Sequence, residues 1–164
     1  MVRIEGEPGT TPTRFEHVIW RILDDIRRSL ANRDSELAIV MVGELEDYAL
    51  TFSKRRSDIM AARTIEDYTL TKVAEFLLKN RVDQKTRESI LKSIQEFFAL
   101  SVRRPVALAA LAPIMAMNTG IQVAKLGELI PYIVQHLNRI LALNNIPLRF
   151  DEDELKKIVK KGWF

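Results

Sequence analysis

Residues 37–42 read Leu-Ala-Ile-Val-Met-Val, an unbroken apolar run that ends at Gly43. Such a run fits either a buried strand or one stretch of a buried helix, and periodicity alone does not separate the two. A strand needs a partner, and nothing else in the 164 residues reads as one. The run is therefore assigned to a helix, capped by Asp34 or Ser35 and continuing to about Arg63. Its buried seam is expected to hold Leu37, Met41, Leu45, Tyr48, Phe52 and Ile59. With that assignment the chain reads as all-α, a helical bundle of about six to seven helices in one domain over residues 13–164. Residues 1–12, with Gly6, Pro8, Gly9 and Pro12, read as an extended arm in front of it.

Upstream of the run, Thr13-Arg14-Phe15-Glu16 has the spacing of a capping box and starts the first helix. Phe15, Val18, Ile19, Ile22, Leu23, Ile26 and Leu30 recur at intervals of three and four and form its inner face. Turning the helix over gathers Arg14, His17, Arg21 and Arg28 on the opposite side. This basic stripe reads either as a solvated face partnered by Asp24 and Asp25 or as an edge that meets phosphates. The densest positive cluster, Lys54-Arg55-Arg56, follows the acidic residues Glu44, Glu46 and Asp47 in the second helix, and it allows the same two readings.

Downstream, Thr64 and Asp83 each open an amphipathic helix. Their inner faces hold Ile65, Tyr68, Val73, Phe76 and Leu77, then Ile90, Leu91, Ile94, Phe97, Phe98 and Val102. The fourth helix runs into Arg103-Arg104, which reads as a phosphate contact or as a cationic end satisfying helix carbonyls. Pro105 suits the first turn of a fifth helix, in which Pro113 predicts a kink. After a turn at Asn118-Thr119-Gly120, a sixth helix spans Leu126 to Leu141, restarted or bent at Gly127 and Pro131. The last helix runs from Asp151 to Lys161, acid first and base last as the helix dipole favours. Trp163 and Phe164 follow it, and an aromatic end is expected to dock on a neighbour.

Charge is spread unevenly. The net charge is +3, and within residues 105–147 only Lys125, Glu128 and Arg139 are charged. A stretch so apolar must be covered, either as the central hairpin of the domain or as an interface with another copy or partner. Its longest apolar piece, Pro105 to Met117, is too short to span a bilayer of ~30 Å, so no transmembrane segment is expected. Met1 to Gly6 lack the apolar core of a secretory signal. There is no cysteine, which excludes disulfides and thiolate metal sites and makes an intracellular setting the default.

Catalytic patterns are missing. Glycines at 6, 9, 43, 120, 127 and 162 make neither a dinucleotide fingerprint nor a phosphate loop. His17 and His136 stand in no zinc or di-iron spacing, and His136 is read as a packed histidine. None of the seven serines sits in a glycine-flanked elbow. The expectation is a protein without cofactor, metal or small-molecule substrate that works by binding rather than by catalysis.

An arm rich in glycine and proline, basic outer helix faces, an apolar hairpin and an aromatic end together resemble the coat proteins, or nucleoproteins, of filamentous viruses that infect hyperthermophilic archaea. In that resemblance residues 6–12 are the arm, and Arg14, Arg21, Arg28, Lys54, Arg55 and Arg56 lie on the DNA-facing helices. Residues 107–143 are the bundle, and Arg103 and Arg104 are added as backbone contacts. The resemblance implies a capsid subunit of the virion, assembled in the host cytoplasm, that self-associates or alternates with a related second coat subunit. It also implies packaging of linear double-stranded DNA through phosphates, without reading sequence. The acidic residues of the first two helices depart from a purely DNA-lining surface and would have to face neighbouring subunits. Two other readings fit the same features: a small helical subunit of a CRISPR effector complex, and a helical adaptor in replication or regulation that binds only protein.

Overall fold

A computed structural model describes residues 14–115 and 125–162. The arm, the Thr13 cap, the turn at Asn118-Thr119-Gly120 and the Trp163-Phe164 end fall outside these residues. The architecture is all-α: α1 (Arg14–Ala31), α2 (Ser35–Phe52), α3 (Arg56–Lys79), α4 (Gln84–Phe97), α5 (Arg104–Met115), α6 (Leu126–Leu143) and α7 (Glu152–Gly162). No strand occurs among the described residues, and the Leu37–Val42 run is helical.

The N-terminal pair forms an antiparallel hairpin. Asp34 accepts the Leu37 amide at 3.1 Å and starts α2, as its short carboxylate at a helix entrance should. Ile19, Ile22 and Ile26 of α1 are buried, and α1 packs chiefly on α2. Phe15 meets Phe52 edge-on with ring centroids 4.8 Å apart and Tyr48 at 6.0 Å, so the first turn of α1 is pinned to the last turn of α2. Behind the hairpin, α2 buries Ala38, Val42, Leu45 and Ala49 against the remaining helices. α3 is the hub of the bundle, touching α4, α5, α6 and α7.

The second helix ends earlier than its apolar pattern predicts. The chain breaks at Ser53-Lys54-Arg55, and α3 starts at Arg56. Ser53 Oγ donates to the Ala110 carbonyl at 2.9 Å and accepts the Arg55 amide at 3.0 Å. A buried hydroxyl that offers the backbone an alternative to the helical ladder stops a helix without glycine or proline. Two expected seam residues face outward: Leu37 and Phe52 are both about half exposed.

Between α4 and α5 the chain does not stop at Pro105. Phe98–Arg103 form a π-helical turn, and the Arg104 amide reaches back five residues to the Ala99 carbonyl. Proline has no N–H to continue an α-helical ladder, and a wide turn just upstream accommodates it without breaking the rod. Residues 84–114 are thus one continuous helix. By length and composition it could cross a bilayer, but half of its most apolar stretch is buried inside the bundle.

The apolar 105–147 stretch supplies much of the interior. Val106, Ala107, Ala110 and Leu111 of α5 and Ile130, Ile133, Leu137 and Leu141 of α6 lie in the core. Pro131 falls inside α6 without ending it. His136 is packed as expected, stacked on Phe97 at 4.9 Å with the rings 13° from parallel. Three helices end on a residue in the left-handed region, Arg33, Arg81 and Asn145. In each case the next amide bonds back to the helix, Asp34 to Ser29, Val82 to Leu77 and Ile146 to Leu141. These are Schellman closures in which no glycine occupies the left-handed position.

Candidate nucleic-acid interface

Because α1 is buried along one side only, its other side faces solvent. His17, Trp20, Arg21, Arg27 and Arg28 are all exposed there, and Trp20 is 42% exposed. Asp24 sits among them and pairs with Arg28 at 2.6 Å and with Arg27. The hydrogen bond from Arg27 holds the Asp24 carboxyl below its usual range. Two arginines share this one carboxylate, so the face keeps a positive excess. An indole beside guanidinium groups also offers a stacking surface next to the charge.

The aromatic pin of Phe15 on Phe52 brings the α2–α3 turn to the same end of the hairpin as His17. Lys54 and Arg56 are exposed there, with no ion pair or side-chain hydrogen bond among the described residues. Arg55 is turned inward. Its Nη2 donates to Asp58 at 3.2 Å and its Nη1 to the Ala109 carbonyl at 3.4 Å, which ties the turn to α5. The Lys54-Arg55-Arg56 cluster is therefore split, two cations out and one in.

Arg103 also lies inside. Its Nη1 donates to Glu66 at 2.8 Å, and its Nη2 stands 3.3 Å from Glu46, which is 1% exposed. Arg63 donates to the same Glu46 oxygen, Oε1, at 3.2 Å. Burial pushes the Glu66 carboxyl above its usual range, and Arg103 opposes that shift. Arg104 is half-buried with no acidic partner among the described residues, and desolvation lowers its pKa. Of the eight candidates, then, Arg21 and Arg28 share the open face of α1, and Lys54 and Arg56 are exposed on the α2–α3 turn. Arg55 and Arg103 serve internal contacts, Arg104 stands apart, and the Arg14 side chain is outside the described residues.

The charged network around Arg103 is a feature that the sequence pattern allows but does not announce. Glu46 falls on the same four-residue row as Ala38 and Val42, so a carboxylate on the buried stripe of α2 was the available sign. A second inward cluster joins α7 to α3. Glu154 accepts from both Tyr68 and Lys72, and the Lys72 ammonium lies 4.9 Å from the Phe150 ring centroid. No group of three or more histidines and carboxylates among the described residues is placed to hold a metal ion. Compared with family models, curated proteins and solved structures, the chain matches none.

Proposed function

We propose that this chain is a non-enzymatic structural subunit that binds duplex DNA along its phosphate backbone, copies of it coating linear DNA as in a filamentous virion. One observation carries the reading: α1 is held by α2 along a single side, which leaves Trp20, Arg21, Arg27 and Arg28 together on an open face. Lys54 and Arg56 add two exposed cations on the α2–α3 turn, at the end of the hairpin where α1 starts. A convex helix whose charges border only an open depression, lined by Trp20, Leu23, Asp24 and Arg27, suits a long, repetitive polyanion better than a small substrate. The contacts available are guanidinium and ammonium groups, which fix position on a backbone and carry no sequence information.

The test is binding to duplexes of unrelated sequence over a salt series, together with electron microscopy of the mixture. Binding that is equal across sequences, that weakens steeply with salt and that produces filaments supports the reading. Each phosphate neutralised contributes about 0.9 to the slope of log affinity against log salt. No shift with duplex at low salt sinks it. Selective capture of a guide RNA with partner subunits would favour the effector-complex alternative instead.

A further inference from the structure

Counting 100° per residue from the buried side of α2, Leu37, Val40, Glu44 and Asp47 fall together on the side facing away from the core. Leu37 is 47% and Val40 61% exposed, although these residues belong to the most apolar run of the chain. Glu44 has no partner among the described residues, and Asp47 only the edge of Arg63 at 3.8 Å. This surface is a pair of aliphatic side chains flanked by carboxylates.

The corner between α3 and α4 has the opposite make-up. Leu78 is 58% exposed, and Lys79, Arg81 and Lys85 follow it, exposed and without an acidic partner among the described residues, outnumbering the exposed Glu75 and Asp83 of the same stretch. The corner is braced rather than loose. The Val82 amide closes the Schellman bond to Leu77 at 3.0 Å, and Arg87 Nη1 donates to the Val82 carbonyl at 2.9 Å. An exposed leucine thus stands at a fixed corner whose exposed charges are mostly cationic.

We infer that the α3–α4 corner of one copy docks on the outer stripe of α2 of the next, Leu78 against Leu37 and Val40, with Lys79, Arg81 and Lys85 against Glu44 and Asp47. Aliphatic contact removes three exposed side chains from water, and the charges complement one another in sign. The two patches differ, so the contact is heterologous: each copy keeps one patch free, and association continues into a chain or ring rather than stopping at a dimer. The inference deepens the self-association contained in the proposed function and rests on that reading. It uses neither Arg21, Arg28, Lys54 nor Arg56 as a contact, and it comes nearest the nucleic-acid face where Leu37 and Arg28 line one depression.

The experiment is sedimentation and light scattering of the protein without nucleic acid, over a concentration series at low and high salt. One variant carries Glu44→Lys with Asp47→Lys, and the other Lys79→Glu with Arg81→Glu. The wild type is expected to grow in mass with concentration and to shrink with salt, while each variant alone associates at least roughly tenfold more weakly. Mixed one to one, the variants restore both contacts, the intact stripe against the intact corner and the reversed stripe against the reversed corner, so association with growth in mass is expected to recover. Val40→Arg and Leu78→Asp make a second pair should either charge variant lose helical circular dichroism. A wild type that stays monomeric throughout overturns the inference, as does a mixture that associates no better than either variant alone. Duplex binding by the variants is measured separately: if it persists while the mixing result fails, only this interface is lost, and if it is absent while the mixing result holds, only the nucleic-acid reading is lost.

Discussion

Arg103, on the last residue of the π turn, donates from Nη1 to Glu66 of α3 across 2.8 Å, and both side chains are almost wholly withdrawn from solvent. The same guanidinium stands 3.3 Å from Glu46 of α2, so one cation serves two buried carboxylates and joins three helical segments. A buried ion pair contributes modestly against a well-packed apolar substitute, but breaking one by removing a single partner strands the other charge.

Arg103→Leu is therefore expected to be severe. It leaves Glu46 and Glu66 facing each other without their shared cation, at a cost of about 3–5 kcal/mol in stability. Chemical denaturation checks this. A loss below about 1 kcal/mol, within the range of an exposed pair, would show that the network is not a structural tie.

Glu66 gives the network a pH signature. Burial raises its folded pKa above the unfolded value despite Arg103, so the folded state prefers the protonated carboxyl. The stability from this group is complete below the ordinary glutamate value of 4.5 and is lost as pH rises through the raised folded value. Glu66→Gln cannot ionise, so its stability relative to wild type should improve across that window. Thermal melts of both proteins between acid and neutral pH test the sign, and a difference that worsens with rising pH would contradict it.

Glu154 titrates in the opposite sense. Burial pushes its carboxyl up, but hydrogen bonds from Lys72 and Tyr68 outweigh burial and hold it below the usual range. Its contribution is present above the unfolded value and disappears as pH falls through the lowered one. Glu154→Ala should cost about 1–3 kcal/mol and loosen α7 first. Limited proteolysis is expected to cut near residues 144–152 before any other described segment, and unchanged cleavage would show that α7 is anchored by other contacts.

Arg33 closes α1 with a φ of 58°, a conformation that a side chain tolerates poorly. Arg33→Gly is expected to stabilise the protein by roughly 0.5–1 kcal/mol, since glycine relieves the backbone and Arg33 has no side-chain partner among the described residues. Denaturation midpoints decide it, and a fall in stability would mean that the freedom gained by the unfolded chain dominates.

For nucleic acid, the contrast lies between outward and inward arginines. Arg21→Ala with Arg56→Ala should weaken duplex binding on any sequence and lower the salt slope by about 2, without moving the melting temperature. Arg55→Ala, whose side chain is spent on Asp58 and Ala109, should lower the melting temperature and leave the salt slope unchanged. The reverse pattern would place the interface elsewhere.

Three-and-four spacing was enough to locate α1, α4 and α6 and most of the core, because those faces obey a simple period, whereas α3, expected to open at Thr64, starts at Arg56. What escaped it was set by contacts between distant residues. Ser53 ends α2 by bonding to Ala110, a partner 57 positions away. Likewise, Arg55 and Arg103 look the same as Arg21 and Arg56 in a list of charges, but their partners on other helices make them interior ties. Periodicity finds the side on which a residue lies, and only the packing of helices reveals whether a cation there faces water or a carboxylate.

The π turn also keeps the long rod in phase. At 100° per residue, a strict α-helix starting from Ile90 and Ile94 would carry Val106 and Ala110 progressively round toward solvent. One surplus residue in the turn subtracts about a single step of rotation and swings them back over the same side, where all four are buried. Removing one residue from Phe98–Arg103 would straighten the ladder and leave Val106 and Ala110 on the same side, so the wide turn is how the rod absorbs one residue without turning its far half to solvent.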